Sequence, residues 1–284
     1  MIKKTLLTHD KTPISIREYK IEEPKASIIL AGATGVPMHF YRHFSIAANE
    51  QGFNCYCLDY RGIGESAPKT LKGFEVDYLD WAKQDLAALV EYVSNEVSGQ
   101  KTHDIFYVGH SYGGHALGLL PNTEKIKAAY FLGTGAGWSG YMPFVERLKV
   151  EILWKVLAPI LVGTVGYMAW SKLGMGADLP KGVYQQWKCW CQYPRYFFDD
   201  PQCSDLEALF SLYKGPIVAA NALDDLWAQP SSRQAFMSAY QNANVTSVDL
   251  SPNEYGLKDI GHIGYFSPKA ESLWPTIFTF FDAH

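Results

Sequence analysis

Gly109-His-Ser-Tyr-Gly113 is the part of this sequence whose residue types and spacing can do chemistry. A serine sits between two glycines where the apolar run Ile105 to Val108, a strand signal, gives way to a helix-forming run from Tyr112 to Leu120 that Pro121 ends. On so sharp a strand-to-helix turn the serine takes a strained backbone conformation and flanking side chains would collide; Gly109 and Gly113 remove those collisions. Ser111 then stands clear of its strand with the hydroxyl exposed. The bare pattern arises by chance in roughly one chain in ten of this length, so its weight comes from the flanking strand and helix signals.

A serine hydroxyl is too weak an acid to attack a carbonyl at neutral pH, so Ser111 needs a base within hydrogen-bond reach and a carboxylate to orient that base. His262 is the candidate base: it lies in Asp259-Ile-Gly-His-Ile-Gly-Tyr-Phe266, a glycine-flanked loop between the last strand and the last helix, whereas His284 ends the chain. His110 immediately precedes Ser111 and His115 lies one helical turn along, so neither is placed to serve. Two adjacent aspartates, Asp224 and Asp225, follow the strand signal Pro216 to Ala220, and only one of them can point at His262. The negative oxygen of a tetrahedral intermediate needs two preorganised donors. One is the Tyr112 N–H beside the nucleophile, and the other belongs to the loop Ala31-Gly-Ala-Thr-Gly-Val-Pro37. Asp59 and Arg61 read as braces of their own turn. His39 and His43 stand four apart, a metal-like spacing, but lack an accompanying carboxylate pattern, so no metal and no cofactor is expected.

The elements that must position these groups alternate. Thr5 to Thr8 and Ile14 to Tyr19 form an opening hairpin. Ser27 to Ala31, Phe53 to Tyr60, Ile105 to Val108, Ile126 to Leu132, Pro216 to Ala220 and Val245 to Leu250 read as strands. Phe40 to Gln51, Asp80 to Ser98, Ser232 to Tyr240 and Leu273 to Phe281 read as helices. This pattern predicts an α/β fold with a mostly parallel, doubly wound sheet. From about Gly135 to Asp205 the alternation stops and aromatic residues crowd in, which predicts a helical cap (135–205) inserted into a core made of 1–134 and 206–284. Placed after the nucleophile, such a cap lies over the carboxyl ends of the strands, where open α/β sheets bind ligands. Most of its aromatic rings should form its own core and a few should line the pocket.

Composition narrows the function. With 284 residues, 48% of them hydrophobic, the chain can bury a full core. A net charge of −4 with scattered lysines and arginines lacks the footprint of a nucleic-acid binder. The apolar stretch at the N-terminus is too short for a signal-peptide core, so a cytoplasmic protein is expected. The apolar run Val156 to Trp170 is broken by Pro159, Gly163 and Gly166 and is shorter than a bilayer span, which predicts a lid segment and no stable membrane span. Five cysteines without zinc or C-x-x-C spacing read as free thiols, Cys55 and Cys57 as small buried hydrophobes on one strand face.

Gly109-His-Ser-Tyr-Gly113, Asp59-Tyr-Arg-Gly-Ile-Gly-Glu-Ser66, the Asp224-Asp225 loop and Gly261-His262 resemble the α/β-hydrolase superfamily over essentially the whole chain. Gly35-Val-Pro37 with Phe40-Tyr-Arg42, Asp225-Leu-Trp-Ala228 and Ile260 to Phe266 are similar to a group of predicted bacterial α/β hydrolases near the serine-aminopeptidase-like branch. The resemblance implies a triad in the chain order Ser111, Asp225, His262, with Asp225 preferred over Asp224 because the acid usually stands several residues before the start of the next helix. It implies Ala33 N–H as partner of Tyr112 N–H in the oxyanion hole, although Ala31-Gly32 stands where many relatives carry His-Gly. The activity implied is that of a serine carboxylesterase, cleaving a small-molecule ester of a small or medium apolar acyl group through an acyl-enzyme. Aminopeptidase-like amide cleavage is the alternative; it requires carboxylates to hold an amino terminus, and Glu146, Glu151 and Asp178 are few and scattered. A ligand-binding protein without turnover is the third reading, and the presence of serine, acid and histidine together stands against it.

Overall fold

Runs of apolar residues bury both faces of the central strands and so fix a parallel sheet. The computed structural model describes residues 1–97 and 103–284. In chain order the elements are β1 (Ile2–Leu7), β2 (Pro13–Tyr19), β3 (Ala26–Ala31), α1 (Arg42–Glu50), β4 (Phe53–Leu58), α2 (Ala87–Glu96), β5 (Asp104–His110), α3 (Tyr112–Ala116) and β6 (Ala128–Leu132). Then follow α4 (Phe144–Ile152), α5 (Ala158–Val165), α6 (Lys181–Trp190), α7 (Leu206–Phe210), β7 (Ile217–Ala222), α8 (Pro230–Met237), β8 (Val245–Leu250) and α9 (Trp274–Asp282). The eight strands pair in the order β1-β2-β4-β3-β5-β6-β7-β8. β1 and β2 form an antiparallel hairpin, β2 meets β4 antiparallel, and every pairing from β4 to β8 is parallel.

Side chains alternate between the two faces. Ile29, Tyr56, Tyr107, Phe131 and Ala219 pack with α2, α3, α8 and the inserted helices. Ile28, Leu30, Phe106, Val108 and Ala220 pack under α1 and α9, together with Cys55 and Cys57, which are buried free thiols on one face as expected. Boundaries differ from the sequence expectations where tertiary contacts override local pattern. The hairpin starts at Ile2 because Lys3 and Lys4 reach across to Glu65 and Glu18. The helix expected from Asp80 opens as a π turn, Trp81–Leu86, whose Trp81 indole N–H and Asp85 carboxylate both bond Arg61. Its expected end at Ser98 lies outside the described residues. The helix after the nucleophile is α only to Ala116 and tightens to a 3₁₀ turn at Leu117–Leu119, where Gly118 packs so closely on Phe210 that a Cβ would meet the ring at 2.3 Å.

Between β6 and β7 the regular structure is helical apart from one isolated bridge between Met168 and Leu179. α4 runs through a π turn (Leu153–Leu157) into α5, and Gly166 ends that rod in the left-handed conformation. The apolar run from Val156 is therefore helix as far as Val165. Among the described residues no helix is long and apolar enough to cross a membrane. Rings hold this segment together: Trp170 stacks on Trp187 with centroids 5.0 Å apart, Trp154 meets Trp187 edge-on at 5.0 Å, and Trp190 stacks on Tyr78 of the core at 5.5 Å.

Candidate active site

β5 ends, and α3 begins, on one strained residue. Ser111 has φ 52° and ψ −109°, a region that a residue with a Cβ rarely occupies. The flanking glycines are required by close approach: a Cβ on Gly109 would lie 2.6 Å from the Gly114 nitrogen, and one on Gly113 only 2.0 Å from the Ala31 carbonyl. Gly114 carries the same constraint, with Thr134 Oγ1 2.1 Å from its Cβ position, and Thr134 in turn donates to the Ser111 carbonyl at 3.1 Å. The Ser111 N–H donates to Leu132 at 2.9 Å and locks the turn to β6.

Three loops from distant parts of the chain converge there. His262 Nε2 lies 2.9 Å from Ser111 Oγ, and its Nδ1 lies 2.9 and 3.1 Å from the two oxygens of Asp225. An ionised Asp225 can only accept, so Nδ1 carries the proton and Nε2 is left free to accept the serine hydroxyl. Asp225 is fully buried. Burial alone would raise its pKa, but the His262 ring and the N–H groups of Ala228 and Trp227 outweigh it and hold the carboxyl below its ordinary value. Tyr265 O–H adds a further donor to Asp225 Oδ2 at 2.9 Å and accepts the Ala222 N–H.

Asp224 does something different. Its Oδ2 accepts the backbone N–H groups of Ile260 and Gly261 at 2.8 and 3.1 Å, so it holds the loop while its neighbour holds the ring that the loop carries. His110 secures the same loop from beneath: its Nε2–H donates to the His262 carbonyl at 2.9 Å, which leaves Nδ1 to accept the Tyr41 hydroxyl at 2.9 Å. Burial, reinforced by the neighbouring His262, pushes the His110 pKa down to about 3. His115 is likewise buried, donates to the Gly135 carbonyl and is pushed down to about 4. Neither touches Ser111 Oγ.

Of the two expected oxyanion donors, Tyr112 adjoins Ser111 and Ala33 lines the same cavity as Ser111. Tyr112 opens α3, so its N–H has no acceptor within that helix. The Ala33 N–H, expected to be its partner, instead donates to the Tyr41 hydroxyl at 2.7 Å. Gly32 permits this, since its Cβ position lies 2.8 Å from the Tyr41 ring. A tyrosine from the turn ahead of α1 is thus brought against the loop. A tyrosine eight residues along carries no local signal of that contact.

Ser111 and His262 open into a cavity of about 500 Å³. Its walls include Val36, Phe40, Trp227 and Ile263 from the core and Trp170, Met175 and Trp187 from the insertion, with no carboxylate among the lining residues. Trp227 stacks beside His262 with centroids 6.1 Å apart, and its indole N–H donates to Glu146 on α4 at 3.1 Å. His39 lines the same cavity; among the described residues no group of three or more His, Cys, Asp or Glu could hold a metal ion. Asp59 and Arg61 stay with structure, Asp59 accepting the Met38 and Glu65 N–H groups and Arg61 pairing with Asp10 and Asp85.

A strained serine elbow on β5, followed in chain order by an acid after β7 and a histidine after β8, is the arrangement of one fold class. The sequence profile of the alpha/beta hydrolase family matches residues 28–271, and the chain belongs to that family. No curated protein matches its sequence. Among solved structures it is similar to a soluble variant of monoglyceride lipase from Saccharomyces cerevisiae bound to a substrate analogue (TM-score 0.68, 14% identity, 96% of this chain and 92% of that one). An esterase from Exiguobacterium antarcticum superposes with a TM-score of 0.63 at 14% identity over 99% of this chain and 100% of its own. A bromoperoxidase from Bacillus anthracis does so with 0.58 at 14% over 99% and 100%. Likenesses at such identities establish the fold, and the fold hosts more than one chemistry.

Proposed function

We propose that this hydrolase is a serine carboxylesterase that cleaves small or medium apolar acyl esters through an acyl-enzyme. One observation carries the reading: the Ser111, His262 and Asp225 contacts stand at the floor of an apolar, aromatic-walled cavity. His262 Nε2 takes the hydroxyl proton as Ser111 Oγ bonds to the acyl carbon. The imidazolium that results is stabilised by Asp225, and its proton goes to the leaving alkoxide as the carbon–oxygen bond breaks. Water, activated by the same nitrogen, then releases the acid. Tyr112 N–H supplies one oxyanion donor. In this reading residues 135–205 act as the cap, with Trp170, Met175 and Trp187 roofing the acyl chain. The absence of a carboxylate in the lining favours an ester over an aminoacyl substrate, whose ammonium group would be desolvated without a counter-charge.

A fluorophosphonate probe tests the nucleophile. Wild type should label at Ser111, and Ser111→Ala should lose labelling and ester turnover while keeping its circular dichroism and melting profile close to wild type. Labelling of the alanine variant at another residue sinks the mechanism.

A further inference from the structure

α4 turns Glu146 toward the core. The residue stands one helical turn before the buried Val150, while Phe144, Val145, Arg147, Leu148 and Lys149 around it are exposed. A carboxylate directed inward needs partners. One oxygen accepts the Trp227 indole N–H at 3.1 Å and the other accepts Lys149 Nζ at 3.1 Å, so the group is held from both sides. The first of these bonds ties the segment between β6 and β7 to the loop that carries Asp225.

Trp227 touches both the acid and the base. Its backbone N–H donates to Asp225 Oδ1 at 2.9 Å, and the same oxygen lies 3.1 Å from His262 Nδ1. Its indole lies beside the imidazole with centroids 6.1 Å apart and planes 28° apart. His110, 6.0 Å from that imidazole, is buried in the core, whereas Trp227 lines the cavity. The indole is therefore the ring that confines His262 on its open side. An indole beside about 500 Å³ of cavity has room for other χ angles, and the Trp187 ring, 6.3 Å away, meets it tilted by 42° rather than stacked. A hydrogen bond to a carboxylate is strong and directional, and it selects one of those angles.

We infer that Glu146 is a positioning residue for Ser111, His262 and Asp225: it fixes the Trp227 indole, and the indole keeps the His262 ring in line with Ser111 Oγ. Glu146 is not among the residues that line the cavity, so its influence on the reaction passes through Trp227. The effect on turnover rests on the esterase reading; the confinement of the ring does not.

Glu146→Leu should lower kcat for a soluble short-chain ester by about tenfold and leave KM within about twofold. Glu146→Gln, whose side-chain oxygen still accepts the indole N–H, should recover most of that loss. Trp227→Phe removes the N–H and should fall about as far as Glu146→Leu, and the two together no further, because both break the same link. In protein carrying isotope-labelled histidine, the His262 imidazole signals, identified by their loss in His262→Gln, should be sharp in wild type and in Glu146→Gln and broadened by exchange in Glu146→Leu. A Glu146→Leu variant that melts lower yet keeps the wild-type kcat and imidazole spectrum overturns the inference, since the bond then merely holds α4 to the core. A loss of kcat that Glu146→Gln shares overturns it too, as do losses that add in the double variant. Absence of ester turnover and of fluorophosphonate labelling in wild type would count against the esterase reading, and the imidazole spectra would still decide whether Glu146 confines the ring.

Discussion

The floor and the roof of the cavity are held by different forces. At the floor, polar groups are locked in sequence: Ser111 to His262, His262 to Asp225, Asp225 to Tyr265 and two backbone N–H groups, and the histidine loop to Asp224 and His110. Each bond is directional, so the floor has one geometry. The roof is built from stacked and edge-on rings, and the buried indole N–H groups of Trp154 and Trp170 have no partner there. Ring packing tolerates sliding that a hydrogen-bonded triad does not. Under the proposed function, the contrast assigns the bond-making step to the core and the choice of acyl group to the segment between β6 and β7.

The sharpest way to break that division is at the two aspartates. Asp225→Asn removes the acceptor that fixes the His262 tautomer and should lower kcat by about 10⁴. Asp224→Asn keeps an oxygen for the loop N–H groups and should cost roughly tenfold or less. Equal losses in kcat would mean that the loop and the ring are not separately held.

The roof is probed with acetyl, butyryl, hexanoyl and octanoyl esters. Each added pair of methylenes should raise kcat/KM by roughly tenfold until the cavity is full, since burying one methylene contributes about 0.8 kcal/mol. Trp187→Ala should move the optimum to longer chains with little change in the rate of fluorophosphonate labelling. A flat series, or preference for aminoacyl amides, would discard the apolar acyl site.

The smallest test lies at the seam, where His115 on α3 packs against Tyr196 of the insertion with ring centroids 4.9 Å apart. Its pKa in the fold is about 4, against an ordinary 6.5, because burial disfavours the charged ring. Between those values the unfolded chain binds the proton and the folded one does not, so stability is lost as pH falls from 6.5 toward 4. At pH 5 the loss from this residue is about 2 kcal/mol. His115→Gln, compared with wild type by urea unfolding at pH 7 and pH 5, should remove about that much of the pH dependence.

What could be read from sequence divides along the same line. Ser111 and His262 were legible because glycines mark backbone that only one geometry satisfies, and the order of strands was legible because double-sided burial writes continuous apolar runs. Asp225 could be ranked above Asp224, yet the task of Asp224 could not be foreseen, since the N–H donors it accepts come from a loop 36 residues away in sequence. Tyr265 and Tyr41 were missed as supports because a tyrosine in an apolar stretch reads as core; only the fold shows where its hydroxyl ends. Ala33 failed as a free donor for that reason. Of the many aromatic rings in the insertion, Trp170 and Trp187 reach the cavity, and ring content alone could not single them out.

The strained turn at Ser111 has a consequence for evolution and engineering. Its φ of 52° suits glycine, not a residue with a Cβ. Ser111→Gly should therefore melt higher than wild type, by an amount corresponding to about 1 kcal/mol, while having lost the proposed nucleophile. Screens that select this protein for heat tolerance alone would reward losing the serine, so thermostable descendants must be sorted by turnover before they are sorted by temperature.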